Sequence, residues 1–62
     1  MCELKAYLRT AEGEKLVLEA VNNVRTEGEE VVVKSLFGEE KRIRATLREI
    51  SLTRNQVILE PR

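Results

Sequence analysis

The amino-acid sequence predicts an all-β protein, a small bent barrel or half-barrel of about six to seven short strands that resembles SH3 or Sm-like folds. Three observations support this prediction. Apolar and polar residues alternate with a period of two in most segments, which is typical of half-buried strands. The apolar residues are mostly Val, Leu and Ile, and β-branched side chains favour a pleated surface. With 62 residues, the chain has room for a single β domain, 1–62, with one thin core.

The first half of the chain predicts strands joined by glycine-containing turns. Gly13 and Gly28 each lie in a predicted hairpin loop, where glycine can adopt positive φ. Asn22 and Asn23 predict a corner at 21–23, because asparagine tolerates left-handed backbone conformations. The predicted strands of this half cover residues 2–9, 16–18, 24–26 and 31–33.

The second half begins with a third predicted turn at 36–40, which contains Gly38. Beyond it, the predicted strands cover residues 42–48, 50–52 and 57–59. The alternation changes parity between Leu47 and Ile50, which predicts a bulge there. Ile43, Leu47 and Ile50 also fit the spacing of one helix face, so a helix over 43–50 is the alternative. A last turn is expected at 55–56, and Pro61 ends the last strand because proline cannot donate to a ladder.

Composition argues against several classes of protein. The chain has no His and no Asp, no glycine-rich phosphate loop and no hydroxyl beside a base, so we expect no enzymatic activity. The first residues lack the apolar run of a signal peptide, and no stretch approaches the length of a membrane span. Eleven basic residues balance eleven acidic ones, which does not favour a general nucleic-acid or membrane footprint. We therefore expect a cytoplasmic protein.

One short segment is nevertheless rich in positive charge, and it supports RNA binding as an alternative function. Such a stripe could follow a phosphate backbone. Binders of single strands usually add aromatic stacking platforms, and here only Tyr7 and Phe37 are aromatic. A solvated face of mixed charge is therefore the preferred interpretation, and nucleic acid is not the expected partner. The residues of the stripe are Lys41, Arg42, Arg44 and Arg48.

Two further residues have a structural and a functional interpretation. Phe37 either packs into the core from its turn or forms part of an interface. Cys2 is either a small buried hydrophobe, like the apolar residues that follow it in the predicted strand, or a metal ligand beside backbone and terminal nitrogens. Because a core of this size is marginal, we expect a homodimer, with Phe37 and the strand carrying Ile50 and Leu52 as the candidate interface.

Four segments of the sequence together resemble the CooT family of small nickel-binding proteins, related members of which are also described as predicted RNA-binding proteins. The resemblance covers nearly the whole chain. Its most specific combination is Met-Cys at the start with Leu-Phe-Gly-Glu at this spacing. The segments are residues 1–8, 16–21, 36–40 and 50–60.

The resemblance implies a β-rich homodimer that binds nickel through Cys2 and assists the maturation of a nickel enzyme such as carbon monoxide dehydrogenase. One nickel ion is expected per dimer, held by two Cys2 thiolates on the two-fold axis. Nitrogens of Met1 and Cys2 would complete a square-planar site, which nickel(II) accepts, whereas zinc prefers a tetrahedral one.

Overall fold

The computed structural model describes residues 3–62, which form six β-strands and no helix. This confirms the predicted fold class, a curled half-barrel. The strands run in the sheet order β4-β3-β2-β1-β6-β5. Neighbouring strands are antiparallel except β1 and β6, which are parallel. The strands are β1 (Leu4–Thr10), β2 (Gly13–Glu27), β3 (Glu30–Ser35), β4 (Glu40–Ile43), β5 (Ala45–Ser51) and β6 (Gln56–Pro61).

A single long strand, β2, replaces the two short strands predicted at 16–18 and 24–26. Its first part pairs with β1 and its second part with β3. The predicted corner is therefore a bend within a continuous strand, marked by a register shift between Val21 and Asn23. Ala20 adopts positive φ here, 55°, instead of an asparagine. The ladders on both sides of β2 hold this conformation, although it costs an alanine about 1–2 kcal/mol.

The strand predicted over 42–48 is instead two strands, divided at Arg44. Strand β4 pairs with β3, whereas β5 pairs with β6, so the chain passes from one end of the strand order to the other at this residue. The helix considered for 43–50 does not form. The predicted bulge is confirmed, because Leu47 pairs with Leu59 and Glu49 pairs with Ile58.

The last two predicted elements shift slightly. Leu52 lies in a turn after β5, so only the first two residues of the strand predicted at 50–52 are extended. Asn55 takes positive φ, 57°, in that turn, and Gln56 already begins β6. Pro61 is the last residue of β6, as predicted.

The core lies on the inner, concave face of the sheet and is formed by alanine and valine side chains together with two leucines. Val32 and Ile58 are also buried, but they alternate with core residues and therefore lie on the outer face. Val32 and Ile58 are each paired across the ladder with residues that have longer side chains. These longer side chains cover them, so this thin sheet buries apolar residues on both of its faces. The inner cluster consists of Ala6, Leu18, Val21, Val31, Val33, Ala45, Val57 and Leu59.

Candidate functional site

Strand β1 begins between the bend of β2 and the turn that joins β5 to β6. Leu4, the first residue of β1, pairs with Val21 at the bend of β2. On the other side, the amide of Lys5 donates a hydrogen bond of 3.0 Å to the carbonyl of Asn55, in the turn between β5 and β6. Cys2, the predicted metal ligand, lies outside the described residues. The structure therefore describes the neighbours of the first residues of β1, and these neighbours form the surface at which the strand begins.

The turn between β3 and β4 belongs to the same end of the molecule. Val21 pairs with Leu4 on one side and with Ser35 on the other. The buried hydroxyl of Ser35 accepts hydrogen bonds from the amides of Phe37 at 3.1 Å and Glu39 at 3.2 Å. The amide of Leu36 donates to the carbonyl of Ala20 at 2.9 Å. These bonds fix the turn against the bend of β2.

Large apolar side chains are exposed at both turns. Phe37 is 79% exposed, Leu52 75% and Leu36 56%. The interpretation that Phe37 packs into the core is therefore wrong, because hydrogen bonds to Ser35 hold its backbone in a turn beyond the end of β3. The two turns lie on opposite sides of the start of β1 in the order of the strands, and exposed apolar side chains of this size are typical of interaction surfaces. We call Leu36, Phe37 and Leu52 the apolar end.

Ile50, the other residue of the predicted interface, is 46% exposed on β5. It pairs with the core residue Val57. Leu47 precedes it on the same strand and is 38% exposed. Strand β5 therefore runs from positions beside the core to the turn that contains Leu52, which is the first residue after the strand.

Within residues 3–62, no group of three or more His, Cys, Asp or Glu side chains is arranged to hold a metal ion. Glu3, the first described residue, is exposed and has an oxygen donor. In the same described range, no helix has the length and apolar character that crossing a membrane requires.

The four residues of the basic stripe lie on different elements. Lys41 and Arg42 are on β4, Arg44 follows it, and Arg48 is on β5. The Arg42 guanidinium lies 2.8 Å from a carboxylate oxygen of Glu27. The three arginines all have acidic partners, so nearby carboxylates neutralise much of their positive charge. The other ion pairs are Arg42–Glu30 at 3.0 Å, Arg44–Glu29 at 2.9 Å and Arg48–Glu60 at 3.2 Å.

Glu27 is the centre of this ion-pair network. Its carboxylate accepts hydrogen bonds from Arg25 at 2.7 Å and from Arg42 at 2.8 Å. These bonds, that to Arg25 first, lower the pKa of Glu27 below its ordinary value. The hydrogen bonds of Arg42 to Glu27 and then to Glu30 raise the pKa of Arg42 above its ordinary value. Because Arg25 and Arg42 are the ladder partners of Val32, the network also covers that buried side chain.

Two features of this region were not predicted from the sequence. The role of Ser35 in the turn can be recognised in a sequence, because a serine hydroxyl often forms hydrogen bonds with backbone groups a few residues ahead of it. The approach of the turns at 35–39 and 52–55 to the start of β1 has no comparable signal, because it depends on the order of strands in the sheet.

The fold and the apolar end place this chain in the class of small half-barrel proteins that expose large apolar side chains at one end of the sheet. The chain belongs to the CooT family, whose family model, described as CO dehydrogenase accessory protein CooT, matches residues 1–60. A crystal structure assigned to CooT from Carboxydothermus hydrogenoformans is similar over 98% of both chains, with 28% sequence identity and a TM-score of 0.88. No curated protein matches the chain significantly.

Proposed function

We propose that this protein is a cytoplasmic nickel-binding accessory protein that supplies or stores the metal for maturation of a nickel enzyme such as carbon monoxide dehydrogenase. Nickel is its cargo, bound through Cys2 across a homodimer. Membership of a family of CO dehydrogenase accessory proteins supports a role in enzyme maturation. The single structural observation that carries the proposal is that β1 begins at the apolar end.

The apolar end gives the proposed dimer a reason to form. Leu36, Phe37 and Leu52 expose more than half of their surface, and pairing two copies would remove that surface from water. Two-fold symmetry is the commonest arrangement for a pair of identical chains. An axis through this end brings the starts of the two β1 strands toward each other.

The length of the chain start then limits where the thiol can be. Only Glu3 separates Cys2 from Leu4 in sequence, and the two residue steps from Cys2 to Leu4 span at most about 7 Å when fully extended. A dimer axis near Leu4 therefore supplies two identical thiols to one site. A single thiolate cannot complete a coordination shell, and the sequence contains no histidine that could add a nitrogen.

Backbone and terminal nitrogens of Met1 and Cys2 would complete a site of two nitrogens and two sulfurs. Nickel(II) accepts square-planar ligands of this kind, whereas zinc(II) favours a tetrahedral arrangement. Copper(II) also accepts the planar geometry and binds more tightly in general, so selectivity would depend on which metal the cell supplies.

The test is a nickel titration of the untagged protein and of Cys2→Ser, with bound metal and protein mass measured on the same samples. We expect one nickel per dimer for the parent protein and no stoichiometric binding for Cys2→Ser. Circular dichroism of both proteins controls for folding. A ratio of one nickel per chain, or unchanged binding by Cys2→Ser, would contradict the proposal.

RNA binding through Lys41, Arg42, Arg44 and Arg48 is the alternative function, and the geometry favours it less. The three arginines have carboxylate partners within 3.2 Å, so binding a phosphate would first disrupt or share those contacts. We expect weak RNA binding that falls steeply with salt. A specific RNA that bound below micromolar at physiological salt, and lost binding on combined Arg42→Ala and Arg44→Ala substitution, would support this alternative instead.

A further inference from the structure

A cavity of about 350 Å³ lies on the outer face of the sheet, across the neighbouring strands β2, β1, β6 and β5. Its volume is within the range of small-molecule sites, about 300–1,000 Å³. Ile58 also lines it but is only 4% exposed, so the lining is mainly polar. Four charged side chains also line it, Arg9, Glu14, Glu49 and Arg54.

The two arginines of this cavity differ from the other five in the chain. Each of those five places a guanidinium nitrogen within 3.2 Å of a carboxylate or carbonyl oxygen. The guanidinium of Arg9 comes no closer than 3.8 Å to its partner, Glu14, which is beyond hydrogen-bonding distance. In the described range 3–62, Arg54 forms no ion pair and no side-chain hydrogen bond. Within residues 3–62, the two arginines whose guanidinium groups donate no hydrogen bond and form no ion pair within 3.2 Å are thus both at the cavity.

An uncommitted carboxylate lies in the same lining. Glu49, on β5, has no ion pair or side-chain hydrogen bond to any residue from 3 to 62. Arg54 belongs to the turn that follows β5, and the Ser51 hydroxyl anchors that turn by accepting a hydrogen bond from the Arg54 amide at 3.3 Å. One unpaired cation and one unpaired anion therefore border a single cavity on connected segments.

We propose that this cavity binds a small zwitterion of the α-amino acid class, with its carboxylate on Arg54 and its ammonium group on Glu49. A planar guanidinium with free donors suits a carboxylate. The two glutamates balance the two arginines, so a dianion gains little here, whereas a ligand with one charge of each sign matches both. Arg9 and Glu14 partly neutralise each other, which leaves Arg54 and Glu49 as the charges available to a ligand.

The experiment is an amide-shift NMR titration of the metal-free protein with L-alanine as the zwitterion, and with acetate and methylamine as single-charge probes. We expect saturable shifts with L-alanine at Ser51, Gln56 and Ile58. Acetate and methylamine should each bind about tenfold more weakly, because each lacks one charge-assisted contact. Neither Cys2 nor a metal takes part, so this result is independent of the nickel titration.

Matched charge variants locate the site. Arg54→Gln and Glu49→Gln should each weaken L-alanine binding about tenfold, whereas Lys34→Gln and Glu19→Gln, which remove the same charges from exposed positions outside the cavity lining, should leave it unchanged. Equal affinity for acetate and L-alanine would replace the zwitterion with a simple anion and overturn the proposal. Shifts that do not saturate, or that persist in both cavity variants, would overturn it as well.

Discussion

The hydroxyl oxygen of Ser35 lies 3.1 Å from the amide nitrogen of Phe37, and the Phe37 side chain is 79% exposed. The serine is buried at the end of β3 and also accepts a hydrogen bond from Glu39. One small polar side chain thus organises the turn that presents the only phenylalanine of the sequence to solvent. Its position beside Val21 brings this aromatic surface to the start of β1.

Removal of the Ser35 hydroxyl should loosen this turn. We expect Ser35→Ala to lower the free energy of unfolding by about 1–2 kcal/mol, because two amides in part-buried hydrogen bonds lose their acceptor. Urea denaturation measures the change. Ser51→Ala is the control, since the hydrogen bonds of that hydroxyl with the Arg54 amide and the Thr53 hydroxyl are longer, at 3.3 Å, and exposed, so their loss should cost less. Equal losses for the two variants would contradict the assigned role of Ser35.

The apolar end should control self-association. We expect Leu52→Ser to weaken the dimer by about a hundredfold, since two leucines per dimer would each lose about 1.5 kcal/mol of burial. Light scattering over a range of concentrations measures the dissociation. Leu16→Ser is the matched control, because Leu16 is 50% exposed on the first part of β2, away from the apolar end. A monomeric parent protein, or equal weakening by both substitutions, would refute this interface.

Nickel binding should strengthen as pH rises. A thiol ordinarily loses its proton near pH about 8.5, and each thiolate ligand must release that proton when the metal binds. Two Cys2 ligands per nickel predict an affinity that rises at least about a hundredfold per pH unit below the thiol pKa, and a terminal amine that loses its proton to bind nickel makes the rise steeper. Titrations between pH 6 and 8 in a non-chelating buffer measure the slope. A tenfold rise per unit would indicate a single thiolate and contradict the shared site.

Acid stability should depend on Glu27. Its pKa in the folded protein lies below the ordinary value, so its ion pairs stabilise the fold above the unfolded-state pKa, and this contribution disappears as pH falls through the folded-state pKa. Glu27→Gln should therefore lower stability at pH 7 slightly and flatten the loss of stability below about pH 4.5. Thermal unfolding as a function of pH measures both effects. Glu19→Gln, which changes an exposed carboxylate without these arginine contacts, should leave the acid profile unchanged.

The sequence predicted local features where the physical cause is local. The period-two runs predicted strands, and the parity change after Leu47 predicted the bulge, because side-chain direction alternates along an extended chain. Gly13 and Gly28 predicted their turns, and both have positive φ. Four separated segments were enough to indicate the CooT family. Cys2 and the nickel site stay predictions, since Cys2 lies outside the described residues.

Tertiary structure alone decided which segments become neighbours. Residues 42–48 alternate without interruption, yet Arg44 divides them because one part pairs with β3 and the other with β6. Ala20 takes the left-handed conformation at the bend, although Asn22 and Asn23 favour it more, because the pairings of β2 with β1 and β3 set the place of the bend. The order of the strands depends on contacts between residues that are far apart in sequence. It places Phe37 near the start of β1, and it places Arg9 and Arg54 at the same cavity. No local pattern of charge or hydropathy encodes these two arrangements.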